Sequence, residues 1–346
     1  MISGNSVGID YHSRSLEVSI FSKAGERLGR RCCANDVIEV ADYVSKFGAV
    51  KGVALEASTG SANFAQSLRE MTGWDTKLCH PGYVQRMRHD PDKSDKADSE
   101  LIADLHRVGY LPEVWLGSEW IRDLRSLVRY RAQRVKAQRD VKLRIRAVLR
   151  QHRIVTPHKD LWTQAGLAWL DSVRGLPEHN QWIMQRHLRE LRHVMSEICE
   201  CNKRLKIVAA GDALIQKLTT KRGVGLFTAL VLRAEIGTFV RFRTGKELSR
   251  FCGVSPRNAS SGERQADSGM IKAGNPILKA ALIEVSHALR RYDPRWHRFS
   301  EDLKARGKLG CVIVAAVANR WLRASFHEFL QFELEEQKAA EVKMAA

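Results

Sequence analysis

Val7-Gly8-Ile9-Asp10 and Val50-Lys51-Gly52-Val53-Ala54-Leu55-Glu56 are two short apolar runs that each end on a carboxylate, and the chain around them decides the fold. The first opens a strand. Leu16, Val18 and Ile20 then alternate with polar residues as a second strand, which turns at Lys23-Ala24-Gly25-Glu26 into a third. Asp36 caps a helix whose apolar positions Val37, Val40, Ala41 and Val44 recur at helical spacing, and residues 50–55 read as a short buried strand. A further helix is predicted over about residues 61–71, ending at Gly73, before an extended Thr76-Lys77-Leu78-Cys79. Leu101, Ile102 and Leu105 mark one more helix beyond.

The order β-β-β-α-β-α-β, then helix, is that of a ribonuclease-H-like (RuvC-like) α/β domain, although other mixed folds share it. Residues 118–152 contain neither Pro nor Gly and are dominated by Arg and Lys, including Arg122, Arg129, Arg139, Lys142 and Arg146, so they read as one long basic helix. Its apolar stripe, Leu124, Leu127, Val128, Val135, Val141, Ile145, Val148 and Leu149, suits pairing with a second long helix over about 178–208, as an antiparallel hairpin or an intermolecular coiled coil. From Leu214 onward the pattern is helical again around a loop-rich island at 253–274, and Lys221-Arg222-Gly223-Val224-Gly225 has the form of a helix-hairpin-helix turn. The expected organisation is therefore a catalytic α/β domain (1–115), a helical coiled-coil region (116–210), a mostly helical C-terminal domain (211–330) and a flexible tail (331–346).

Composition narrows the function. Of 346 residues, 57 Lys and Arg stand against 39 Asp and Glu, a net charge of +18 that favours polyanionic partners. The longest apolar run, 311–318, is too short to span a bilayer, and Met1-Ile2-Ser3-Gly4-Asn5 has no secretory character, so a cytoplasmic, nucleoid-associated protein with no membrane partner is expected. Seven cysteines without a Cys-x-x-Cys pair argue against a disulfide framework and a zinc ribbon. Nucleic acid is the leading partner.

Two constellations carry chemistry. Asp10 and Glu56 end strands that lie side by side in such a sheet, and Asp95 and Asp98, at i and i+3, share one face at a helix start. Taken singly each is a common turn, cap or first-turn acid. Four converging carboxylates repel unless a cation neutralises them, and hard oxygen donors favour Mg²⁺ or Mn²⁺. The second constellation is Ser260-Ser261-Gly262, surrounded by Arg257, Arg264 and Lys272, cations suited to a phosphodiester beside a hydroxyl nucleophile. A serine in such a loop is more often simply a turn residue.

Val-Gly-Ile-Asp10, Leu-Glu56-Ala-Ser-Thr-Gly, Lys-Ser-Asp95-Lys-Ala-Asp98 and Leu-Pro-Glu-Val-Trp115 resemble the N-terminal DEDD domain of the insertion-sequence transposases described as bridge-RNA-guided recombinases. Arg-Gly-Val-Gly225, Ala-Glu-Ile-Gly237, Phe-Cys-Gly-Val-Ser-Pro256, Ser-Ser-Gly262 and Lys-Ala-Gly-Asn275 resemble its C-terminal transposase domain in the same order. The resemblance implies that Asp10, Glu56, Asp95 and Asp98 hold divalent metal and that Ser261 forms a phosphoserine link to DNA. It also implies a structured guide RNA pairing with donor and target DNA, and a homodimer or homotetramer in which one subunit's acids meet another's serine. Many relatives carry a proline where this chain has Lys221-Arg222, and the segment Gly269-Met270-Ile271-Lys272 is one residue shorter than usual, which leaves Ser260 a competitor for the nucleophile. A stand-alone metal-dependent nuclease and a non-enzymatic nucleic-acid-binding protein are the rival expectations.

Overall fold

Period-two alternation gives the first strand two different faces. In β1 (Asn5–Tyr11), Val7 and Ile9 are fully buried among apolar residues of α1 (Val37–Ser45), whereas Gly8 and Asp10 take the opposite face. β2 (Ser15–Phe21) and β3 (Arg27–Ala34) continue antiparallel from β1, and β4 (Val50–Glu56) returns parallel to it. α2 (Ser61–Thr72) carries the chain to β5 (Thr76–Cys79), parallel to β4. After α3 (Pro81–Val84) and α4 (Asp95–Arg107), β6 (Glu113–Val114) joins antiparallel to β5, giving the sheet order β3-β2-β1-β4-β5-β6. The expected strand and helix order is present; α3 and β6 are additions too short for any periodicity to register. In this computed structural model residues 4–87, 94–258, 267–272 and 274–345 are described, and the chain divides into two compact units, Met1–Glu119 and Trp120–Ala346.

The second unit is helical. α5 (Glu119–Gln151), a rod of about 50 Å at 1.5 Å per residue, runs past α6 (Gln164–Ser172) and pairs antiparallel with α7 (Glu178–Gly211). Tyr130 donates to Glu197, and Arg131 Nε donates to Asn202 Oδ1 at 2.7 Å. Towards the far end Val141, Ile145 and Leu149 pack with Met184, Leu188 and Leu191, so the stripe is covered within one chain at both ends of the helix, while Val135 between them is exposed. At the near end Leu124, Val128 and Leu205 enter the core formed by α8 (Ala213–Thr219), α9 (Leu226–Ile236), α10 (Gly245–Phe251), α11 (Pro276–Tyr292), α12 (Pro294–Ala305) and α13 (Gly310–Ala345). The island at 253–274 contains a two-stranded ribbon, β7 (Pro256–Asn258) with β8 (Asp267–Met270). In the helix-hairpin-helix turn Gly223 has φ +83°, while Lys221 bonds Glu328 and Arg222 bonds the Tyr292 carbonyl, so both cations are used internally. Residues 331–345, the start of the expected tail onward, are helical as the end of α13; Glu333 is buried and accepts from Thr238 Oγ1 at 2.9 Å and Phe239 N at 2.6 Å, while residues 335–343 are exposed. Among the described residues no helix is long and apolar enough to cross a membrane.

α4 is set against the sheet by what the strands lack. A Cβ on Gly8 would stand 2.2 Å from the Ser99 carbonyl oxygen and 2.3 Å from Ala103 N, and one on Gly52 would meet the His106 ring at 3.0 Å. On the β2 side, the Ser19 and Ser99 hydroxyls share a hydrogen bond of 2.8 Å. The helix thus lies directly on strand backbone, and it carries Asp95 and Asp98. Gly8→Ala should push it off, costing about 3 kcal/mol, at the upper end for overpacked cores. Chemical denaturation checks this; a loss under about 1 kcal/mol would mean that α4 sits loosely.

Candidate metal centre

The same alternation that buries Val53 and Leu55 on one side of β4 puts Gly52, Ala54 and Glu56 on the α4 side. Since Ile9 pairs with Leu55 in the parallel register, Asp10 and Glu56 follow at neighbouring strand ends, and Glu56 pairs in turn with Cys79 of β5. Above them α4 begins. Ser94 Oγ accepts from Ala97 N at 3.2 Å as its N-cap, which places Asp95 and Asp98 in the first turn, where the helix dipole favours negative charge. Asp10 is 6% and Asp98 2% exposed, whereas Asp95 is open to solvent.

His12 joins this group, and sequence reasoning missed it. Its Nε2 lies 3.2 Å from Asp10 Oδ2 and 3.4 Å from Asp95 Oδ2. A signal was present: a residue two beyond Asp10 at a strand end shares its face. One ligand atom from each of Asp10, His12 and Asp95 lies within 4.8 Å of the other two, a donor set that fits one divalent ion.

The electrostatics carry the strain of the arrangement. Burial pushes the Asp10 carboxyl above its usual value, His12 pulls it back, and Asp98 and Asp95 push it further up. The Cys79 thiol is pushed up to about 12, mainly by burial and then by Glu56, with Asp10 adding to it, so a single buried group senses both strand-end acids. The folded Asp10 carboxyl holds its proton more tightly than the unfolded one. Ionising it therefore costs stability at neutral pH, and that cost fades as the pH falls through the raised value toward 3.8. In chelator at pH 7, Asp10→Asn should melt above the wild type, with the gap closing as the solution is acidified. A lower melting point for the variant would mean that Asp10 serves chiefly as His12's hydrogen-bond acceptor.

In the second unit the ribbon β7–β8 stands on a tightly made base. Ser249 and Ser255 hydroxyls are 3.0 Å apart, and Asn319 Nδ2 donates to the Val254 carbonyl and Ser255 Oγ, both at 3.2 Å. Gly253 and Gly274 meet backbone to backbone: a Cβ on Gly274 would lie 2.2 Å from Gly253 Cα. Asn275 caps α11 and donates to Glu235 Oε2 at 2.8 Å. Glu235 is buried, and Arg129 grips it with two hydrogen bonds of 2.7 and 2.8 Å. Sequence reading passed over Glu235 as a catalytic or structural centre, although an acid inside the apolar run of α9 was a visible sign. Arg257 and Lys272 are exposed at the two sides of the ribbon. Ser260, Ser261 and Arg264 lie outside the described residues.

The expected basic contacts on α5 are placed unequally. Arg129 is committed to Glu235, Arg122 is half-buried near Arg125, and Arg139 faces Asp140 at 3.4 Å. Lys142 and Arg146 lie over the Trp162 ring at 5.0 and 5.4 Å.

Comparison with known proteins reaches the segments that hold both constellations. The profile of the IS110 DEDD transposases matches residues 7–154, and that of the IS116/IS110/IS902 transposase family matches residues 215–301. The chain is 30% identical to the putative transposase y4qE of Sinorhizobium fredii over 64% of its own length, which spans 54% of that relative. It is 27% identical to the transposase for insertion sequence element IS1111A of Coxiella burnetii, over 74% of this chain and 71% of that one. With the transposase for insertion sequence element IS1328 of Yersinia enterocolitica it shares 23% identity over 92% of this chain and 95% of the other. Two profiles of one family, matched in order, together with relatives aligned along most of the sequence, make this chain a member of the IS110/IS116 family of DEDD transposases.

Proposed function

We propose that the chain is a DNA transposase that joins element and target DNA under the direction of a structured guide RNA, using a metal-bearing acidic site and a serine nucleophile. The observation that carries this reading is the convergence of Asp10, His12 and Asp95 on one divalent-ion-sized space, on the sheet face shared with Glu56 and Asp98, in a chain of this transposase family. The order of strands in the sheet supports a ribonuclease-H-like domain over residues 1–115, with residues 211–330 supplying the serine. Bound Mg²⁺ or Mn²⁺ would neutralise the acids and act as a Lewis acid toward a phosphate oxygen.

The chain's own groups divide the remaining work. Asp10, Glu56, Asp95 and Asp98 hold the ions, and Arg257, Arg264 and Lys272 offset charge on the scissile phosphate. Ser261 loses its proton to an acidic-site carboxylate and its Oγ bonds to phosphorus. The bond from phosphorus to the departing deoxyribose oxygen breaks, and that oxygen takes up a proton. A second strand's hydroxyl then attacks the same phosphorus and frees the serine, so no phosphodiester energy is lost. Base pairing with guide RNA supplies sequence choice, which leaves the protein mainly backbone contacts to make, in keeping with a net charge of +18. A homodimer or homotetramer brings donor and target DNA together.

With suicide DNA substrates the protein should accumulate a covalent protein–DNA adduct that maps to Ser261. Ser261→Ala should form none and Ser260→Ala should retain some. Glu56→Gln and Asp95→Asn should each abolish strand exchange while folding and RNA binding persist, as should chelation of divalent metal. Cutting without an adduct, surviving Ser261→Ala, is the behaviour of a water-using nuclease and would overturn the serine mechanism.

A further inference from the structure

Most cations of α5 whose contacts are known serve the unit itself. Arg125 donates to the Ala234 carbonyl, Arg129 grips Glu235, Arg131 reaches Asn202 and lies over Phe227, and Arg144 faces Glu190. The far end of the hairpin differs. Where α5 ends, the segment leading to α6 folds back and forms with it a solvent-open cavity of about 330 Å³, lined by Arg146, Arg150, Thr156, His158 and Lys159 over an apolar floor that includes Leu149. No acid lines it. Among the described residues the side chains of Arg150, Arg153 and Lys159 make no hydrogen bond or ion pair.

Three features show that this end is built to keep cations rather than to shed them. Trp162 lies beneath both Lys142 and Arg146 and holds their stems in place, a use of the ring face that restricts the guanidinium before any ligand arrives. The nearby acid, Asp160, has a carboxylate oxygen occupied by Trp162 N at 3.0 Å. Arg153 has φ +54°, the left-handed conformation that glycine adopts without strain, with its N–H bonded to the Arg150 carbonyl at 3.1 Å and Ile154 N bonded to the Leu149 carbonyl at 2.9 Å. An exposed arginine thus occupies the helix-ending turn where glycine would be cheaper.

We infer that this cavity is a phosphate-binding pocket which grips the backbone of a nucleic-acid helix through Arg146, Arg150 and Lys159, with the Thr156 hydroxyl as a further donor. It makes the distal end of the hairpin, rather than the cation-rich length of α5 near its base, the principal polyanion contact of residues 116–210. No Trp, Tyr or Phe lines the cavity, and three cations and a hydroxyl stand beside the one aromatic ring of His158, a lining that suits the backbone better than the bases. The assignment rests on the nucleic-acid reading of the protein's function, and RNA and DNA present the same phosphodiester chemistry to it.

The full-length protein would be tested by fluorescence anisotropy across a salt titration against two probes of equal length and arbitrary sequence, a duplex DNA and an RNA stem-loop. Arg150→Gln with Lys159→Gln should weaken binding roughly 10- to 100-fold near 0.1 M salt and lower the log–log salt slope by about two, as expected for two lost phosphate contacts. Arg204→Gln with Lys206→Gln removes equal charge from exposed positions of α7 and should change affinity less than about threefold. The charge-conserving pair Arg150→Lys with Lys159→Arg should restore most of the affinity, which separates lost contacts from a damaged fold. A loss seen with one probe alone supports the pocket and identifies its ligand as that nucleic acid. The pocket is overturned if the glutamine pair binds both probes like the wild type, or if the α7 pair loses as much; a wild type that binds neither probe overturns the nucleic-acid reading along with it.

Discussion

The contact on which the acidic site depends is backbone against backbone. α4 can lie on β1 and β4 only because Gly8 and Gly52 present no Cβ to it, with Ala103 and His106 filling the space instead. Two residues along β1 and four along β4, on the same face, the side chains become Asp10 and Glu56. A helix held that close brings its first turn down over them, so the depth of the site is set by glycines that take no part in it. The cost is electrostatic. Asp10 and Asp98 are buried, with Asp95 close by, and the helix N-terminus and His12 offset only part of the repulsion. A divalent ion would relieve what remains, and the stability of this unit would then follow the occupant of its site.

A comparable constraint organises the second unit. A buried carboxylate is tolerated when its oxygens are fully used, and Glu235 has Arg129 on both oxygens and Asn275 on one. That network ties the base of the long hairpin to the end of α9 and to the N-cap of α11. The Gly253–Gly274 contact fixes the other approach to the ribbon. Ala-Glu-Ile-Gly237, Phe-Cys-Gly-Val-Ser-Pro256 and Lys-Ala-Gly-Asn275, far apart in sequence, are therefore one piece of packing around β7 and β8.

How much of this was legible depended on how local each signal was. Strand alternation and helix spacing declared the order of elements as far as β5, and strand-end position declared Asp10 and Glu56 neighbours, because period two and parallel register are local rules. His12 followed from the same period yet was overlooked, since a histidine in a turn has no strong motif of its own. The long helices were plain from composition. Their pairing within one chain was not, because an apolar stripe does not say which surface covers it. The anchoring of Glu333 was hidden for a similar reason: the polar, alanine-rich sequence around it suggested fraying, while its partners Thr238 and Phe239 come from a distant segment. The role of the α5 arginines was least visible of all. Charge counting treats Arg129 and Arg150 alike, while in the fold one is locked to Glu235 and the other lines an acid-free cavity.

Those two fates of arginine bear on how the chain handles a polyanion. With an excess of cations overall, it draws phosphate from every direction, but its acidic site repels the same phosphate while Asp10, Asp95 and Asp98 are ionised. A cation in the site lowers that repulsion, and a phosphate beside the site in turn raises the affinity for the cation. The two bindings are linked with equal coupling in both directions, as any pair of equilibria on one molecule must be.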